Sequence, residues 1–209
     1  MSVDRLYTPA AHDFYDELVA LFVSLGSFNA ATESFWNSSR TQIPESPNHT
    51  INLYGHTAHV SFPIHSLMHG VVRNTWPISL QLMIHPASTV LDSIPNPIEL
   101  QSVGVEKMIT QLIGTTFLKY YERNASRPKH AHPAGPKSWP DLWRFAWLLR
   151  NAIAHGDRWK IDDDTFPPTT WNGISISPND SNQPWYNITK YIGGGDVILL
   201  MEQLNANPP

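Results

Sequence analysis

Cysteine is missing from all 209 residues, which excludes disulfides, thiolate metal sites and a cysteine nucleophile. Charge is sparse as well: Asp, Glu, Lys and Arg make up only 15% of the chain. No apolar run approaches the ~20 residues that span a bilayer. The opening Met-Ser-Val-Asp-Arg-Leu-Tyr lacks a basic flank leading into an apolar stretch, so no secretory signal is read there. A single cytoplasmic domain over 1–209, without membrane contact, is the expectation, and a chain of this length buries a core without covalent staples.

Against that low charge stand eight tryptophans. Side chains of this size call either for a large core or for an apolar surface covered by a second subunit. The net charge of −4 argues against a broad nucleic-acid sheath, but the charge is unevenly placed. Nine of the 14 basic residues fall between Lys119 and Lys160, opposed there only by Glu122, Asp141 and Asp157. One basic stretch on an acidic body suits a local anion site, with a solvated loop and helix face as the plainer alternative.

Periodicity gives the element order. Phe14, Leu18, Leu21, Phe22 and Leu25 recur at helical spacing, and a second short helix is read over 28–39. Residues 1–45 thus form an N-terminal helical addition. Residues 51–60 alternate weakly, as a strand would. A longer helix is read from Pro63 toward His85, bent at Pro77. Asn96-Pro97-Ile98-Glu99 has the residues of a helix start, and the helix it opens, to about Tyr121, reads as apolar nearly all round and buried. A polar, basic loop over 123–137 follows. Ser138-Trp139-Pro140-Asp141 opens another helix, ended by Gly156. Ile174-Ser175-Ile176 and Trp185–Ile188 read as a small hairpin joined by an Asn179–Asn182 turn, and Gly193-Gly194-Gly195 as a hinge into a last helix. The fold class expected is mostly α, a helical bundle with a small C-terminal β-hairpin.

The helix over 138–155 carries the chemistry. Leu142, Phe145, Ala146, Leu149 and Ile153 make its core stripe. Beside it runs a slanted row at four-residue steps: Trp139, Trp143, Trp147, Asn151 and His155. The row starts in aromatics and ends in an amide and an imidazole, with Arg150 next to the amide. Arginine presents a planar fork of donors to phosphate oxygens. Histidine exchanges protons near neutral pH, and the amide can orient either partner. The plainer alternative is a C-capping histidine and an arginine lying along the helix surface.

Arg150-Asn151-Ala152-Ile153-Ala154-His155-Gly156 resembles the hallmark of the HEPN superfamily, the higher eukaryote and prokaryote nucleotide-binding domains. That hallmark is an Arg, commonly followed by a polar residue, with a His five positions on, late in a long helix. The resemblance spans about 60–207 and implies a HEPN-like helical core there. It further implies a metal-independent endoribonuclease, often a toxin or defence effector, that homodimerises so that two Arg-x4-His motifs build one composite site. Carried over, Arg150 would stabilise the charged transition state, Asn151 would orient, and His155 would handle the 2′-hydroxyl proton, leaving a 2′,3′-cyclic phosphate. Partners implied are RNA, a second copy of the chain, and an antitoxin or other partner protein. Some family toxins carry a tyrosine two residues after the histidine, where a partner enzyme modifies them; Asp157 stands here, which sets that regulation aside and offers a carboxylate to His155. Other members keep the fold without catalysis and bind nucleotides or proteins, and a noncatalytic module of that kind is the alternative function.

Arg127, Lys129, Lys137, Arg144 and Arg158 are the candidate RNA contacts. His130 and His132 lie in the same loop. His56/His59 and His65/His69 have spacings that metal sites use, yet lack a clear third ligand, so no metal and no cofactor is expected. Asp162-Asp163-Asp164 reads as a solvated turn in preference to a magnesium site.

Overall fold

The computed structural model describes residues 3–38, 50–63, 67, 77–86, 103–187 and 190–209, with the backbone alone at 31–38 and 103–106. The elements run β1 (Val3–Tyr7), α1 (Tyr15–Ser38), β2 (Thr50–Leu53), β3 (Ala58–Pro63), β4 (Leu80–Pro86), α2 (Val103–Asn124), α3 (Ser126–Ala131), α4 (Asp141–Ala154), β5 (Thr169–Trp171), β6 (Ile174–Ile176) and α5 (Gly194–Ala206).

This is a mixed α/β fold, not the mostly helical bundle expected. Four strands form an antiparallel sheet in the order β1-β4-β3-β2, and β5-β6 is a separate hairpin. The error lies at 80–86, read as the end of a helix. Leu80, Leu82 and Ile84 are buried while Gln81 and Met83 face out, a period of two that only a strand provides. The weak alternation at 51–60 is likewise two paired strands, with Leu53 opposite Val60. In the N-terminal region one helix, α1, replaces two, and β1 precedes it, pairing Val3–Tyr7 with Leu80–Ile84. The proposed start at Asn96-Pro97 lies outside the described residues. So do His65, His69 and Trp76, while Trp36 is described by its backbone alone.

The helix α2 is two-sided, not apolar all round: Ile113, Phe117, Tyr120 and Tyr121 are buried while Lys107, Gln111 and Lys119 are exposed. It is the spine against which α1, α4 and α5 pack. Arg123 ties α2 to α1 through both oxygens of the buried Glu17, at 2.6 and 3.0 Å. The aromatic rings of Phe22 on α1 and Phe62 on β3 stack at 4.4 Å, joining helix to sheet.

α5 is the clasp. Asp196, fully buried, accepts from the backbone of His56, Thr57 (2.8 Å), Ala58 (3.0 Å) and Gly193 (2.9 Å), and from the Thr57 hydroxyl (2.6 Å). Its carboxylate thereby fastens the β2–β3 turn to the helix start. Gly193-Gly194-Gly195 is no hinge: a β-carbon at Gly195 would collide with the Ala58 carbonyl and stand 2.7 Å from that of Leu53. The glycines are there so that α5 can touch the sheet backbone.

The six tryptophans whose side chains are described find their places inside this one chain. Trp139, Trp143, Trp159, Trp171 and Trp185 are buried, and Trp147 is partly so. The Trp143 indole donates to the carbonyl of Asn207 at 3.0 Å. A buried side chain of this size is worth about 3–5 kcal/mol against alanine, so these six are accounted for by the core. The hairpin turns at Asn172-Gly173, both with positive φ (46° and 82°), one strand earlier than the Asn179–Asn182 turn expected. Among the described residues no helix is long and apolar enough to cross a membrane.

Candidate functional site

The site is built by the way α4 stops. Its last helical bond runs from the His155 amide to the Asn151 carbonyl, at 3.0 Å. His155 leaves helical geometry (φ −119°), and Gly156 and Asp157 follow with φ of 92° and 61°. Two left-handed residues in succession turn the chain sharply, which glycine does freely and aspartate tolerates better than most. Trp185 locks the turn: its indole N–H donates to Asp157 Oδ1 (3.1 Å) and its amide to the Asp157 carbonyl (3.2 Å). The Asp157 carboxylate offered to His155 is thus engaged with Trp185. At the other end of α4, Ser138 donates to the Gly135 carbonyl (2.7 Å) and Pro140 occupies the N-cap, so the capping signature at Ser138 does not cap the helix.

Two consequences follow for the motif. The capping task falls to the backbone of His155, which leaves its exposed imidazole outside the cap. Arg150, one turn back and half-buried, donates through Nε to Glu122 on α2 at 2.6 Å and through a terminal nitrogen to Asn151 Oδ1 at 3.2 Å. Arginine and amide are therefore adjacent, with the imidazole one turn on, at one end of one helix. Beneath the pair lies Tyr121, whose buried hydroxyl has a pKa pushed well up by burial and further by the Glu122 charge, and drawn back by Arg150. Gly114 allows α2 this close: a β-carbon there would stand 3.0 Å from Ile153 on α4.

Asn151 and His155 line a cleft of about 280 Å³, with Trp147 from the same helix and Lys160, Asp162 and Phe166 from the following loop. Trp147 stacks on the buried Phe166 at 5.5 Å and 19° between planes. The opposite lip is fixed by Asp163, which accepts from Lys137 Nζ at 2.6 Å and from Thr165 through its amide (2.9 Å) and hydroxyl (2.6 Å). The Lys137 contact first, and then those from Thr165, hold the Asp163 carboxyl down at about 2. On the far side of the His155–Gly156 turn a second cleft, about 520 Å³, is lined by Lys107, Thr110, Asp157, Arg158 and Tyr186.

The structure disperses the basic residues. Arg158 donates to the Asn182 carbonyl at 2.6 Å beside the second cleft. Arg127 pairs with Asp13 at 2.7 Å and, with the exposed Lys129, belongs to α3. Arg144 is a structural hub on Asp141, Thr169 (2.8 Å) and the Lys137 carbonyl (3.2 Å). It sits eleven residues before His155, about 16 Å along the axis. Only Lys137 reaches the first cleft, through Asp163. Sequence reasoning missed Trp147, Phe166, Lys160 and Asp162 as lining; Trp147 was visible four residues before Asn151 in the same row. Among the described residues no three His, Asp or Glu side chains converge as a metal site would need.

Compared with models of known protein families, with curated proteins and with solved structures, the chain matches none.

Proposed function

We propose that the chain is a metal-independent endoribonuclease acting through Arg150, Asn151 and His155, as its resemblance to the HEPN hallmark implies. The observation that carries the reading is the uncommitted, exposed imidazole of His155 on a cleft shared with Asn151, its cap role taken over by the backbone. His155 takes the proton of an RNA 2′-hydroxyl; the 2′-oxygen attacks the adjacent phosphorus and the bond to the 5′-oxygen breaks. A 2′,3′-cyclic phosphate and a 5′-hydroxyl result once the leaving oxygen is protonated. Arg150 stabilises the charge gathering on the phosphoryl oxygens, and Asn151 holds the guanidinium through its amide oxygen. In the composite arrangement of a homodimer, the second copy's motif supplies the proton for the leaving oxygen. The proposed setting is the cytoplasm, with RNA as substrate and, for a toxin or defence effector, an antitoxin or partner protein as its regulator.

One observation favours the noncatalytic alternative: Arg150 already holds Glu122 at 2.6 Å, as a tie between helices would. The two readings separate in one experiment. Purified protein is incubated with mixed RNAs in EDTA beside Arg150→Ala, His155→Ala and the double variant. Loss of an acid–base group costs about a hundredfold or more, and losses from groups serving one transition state do not add. Full cleavage by both single variants, with Arg150→Ala melting lower, would leave the motif as scaffolding.

A further inference from the structure

We infer that the cleft between α4 and residues 160–166 seats one unpaired base of the RNA and selects guanine through Asp162; this rests on the ribonuclease reading for its catalytic consequence, while the binding it describes stands by itself. Trp147, Asn151 and His155 follow one another at four-residue steps, so the row from Trp147 to His155 extends about 12 Å along the helix. Indole and imidazole thus stand along one ridge, in the order in which a nucleotide carries its base, its ribose and its phosphate. A cleft of about 280 Å³ has room for one base. Its wall is an indole kept in place by the buried Phe166 ring stacked behind it, a platform of the kind on which unpaired bases stack.

The charges of the two clefts differ and assign the two parts of a nucleotide. Beside Trp147 stand Lys160, Asp162 and Asp163, which do not favour an anion. Across the His155–Gly156 turn stand Lys107 and Arg158, where the one carboxylate, that of Asp157, is occupied by the Trp185 indole. The base enters the first cleft and the phosphodiester chain crosses His155 into the second.

Which base is decided by the acceptors left over. Asp163 is spent on Lys137 and Thr165. The oxygen of Asn151 is spent on Arg150. Asp162 has only Lys160 at 3.9 Å, beyond hydrogen-bond length. A carboxylate accepts two parallel N–H bonds, and guanine alone among the RNA bases offers two adjacent N–H donors, at N1 and N2, on its Watson–Crick edge. Adenine and cytosine offer one amino group there, and uracil one ring N–H.

The test uses single-stranded oligodeoxynucleotides carrying one ribonucleotide, so that only one bond can be cleaved. The ribonucleotide is guanosine, inosine (which lacks the 2-amino group), adenosine, cytidine or uridine. Guanosine should give the highest kcat/KM by on the order of tenfold or more, the discrimination that a bidentate pair commonly provides. Inosine and Asp162→Asn should each erase that margin, and together should erase no more, while Asp164→Asn, outside the cleft lining, leaves the preference intact. Quenching of tryptophan fluorescence by guanosine monophosphate against the other three monophosphates, repeated on Trp147→Phe and Asp162→Asn, reads binding without catalysis. Cleavage without base preference overturns the inference and leaves the ribonuclease reading standing. Guanosine-selective, Asp162-dependent binding without any cleavage upholds the cleft and defeats the ribonuclease reading. Neither cleavage nor selective binding overturns both.

Discussion

Replacing Asp196 by asparagine is the sharpest probe of how this fold is held. The carboxylate is fully buried and takes five hydrogen bonds, three on Oδ1 and two on Oδ2. Asparagine has nearly the same shape but only one acceptor oxygen. If its amide nitrogen takes the Oδ2 position it confronts the N–H groups of His56 and Gly193; at the Oδ1 position it confronts those of Thr57 and Ala58 instead. At least two bonds to a charged acceptor are lost either way, each worth about 1.5–3 kcal/mol. The expected cost is about 3–6 kcal/mol, a large share of the 5–15 kcal/mol by which domains are typically stable. For a chain of this length that corresponds to a drop of roughly 6–24 °C in Tm. Urea unfolding followed by the fluorescence of the buried tryptophans measures it, with Thr57→Val as the control that removes a single donor to the same carboxylate and should cost about 1.5–3 kcal/mol. An Asp196→Asn protein within ~1 kcal/mol of the parent would refute the view that this carboxylate fastens α5 to the β2–β3 turn.

Two predictions concern pH. The pKa of His59 lies below the ordinary histidine value, because it is buried and secondarily because His85 faces it. The unfolded chain then binds the proton more readily, so the stability tied to neutral His59 is complete above about pH 6.5 and is lost as pH falls toward the lowered folded-state value. Unfolding midpoints from pH 7.5 to 5 should decline less steeply in His59→Gln, and parallel curves would discard the idea. Asp163 should titrate near 2 by carbon-detected NMR, its ionised form persisting down to that pH. Lys137→Met should return it toward the ordinary ~3.9; an unmoved midpoint would mean that Lys137 does not hold that lip of the cleft.

Much of the helical part was legible. The α4 stripe and its stop at Gly156 follow from spacing and a glycine, and the structure ends the helix there with φ at 92°. The sheet was harder to see, for particular reasons. On β3, Ala58, Val60 and Phe62 alternate with His59 and Ser61, which a reader sends to solvent. Yet both are buried, His59 bonded to Ser61 (3.0 Å) and Ser61 to Asn52 (2.9 Å). On β4 the alternation Leu80-Gln81-Leu82-Met83-Ile84 was present, but Met83 counts as apolar and blurs it into a helical run. The Asn172-Gly173 pair, a strong signal of a two-residue hairpin turn, was passed over for the longer polar stretch after it. For the site, sequence could place Arg150, Asn151 and His155 on one helix end because four residues nearly close a turn. It could not show that Lys137 would spend itself on Asp163, twenty-six residues away, since that pairing depends on how the loop returns.

The reach of α5 bears on how the protein is made. Through Glu202 it holds Arg5 and Tyr7 of β1, through Gln203 it holds Trp171 of β5, and through Asp196 it holds the β2–β3 turn. Every one of these partners is synthesised before it. On the ribosome the sheet and the motif helix therefore emerge without their clasp, with Trp143 lacking its acceptor at Asn207. Native closure must wait until α5 has cleared the exit tunnel, so a nascent chain passes through a period with apolar sheet and helix faces uncovered, when a holding chaperone would find its footing.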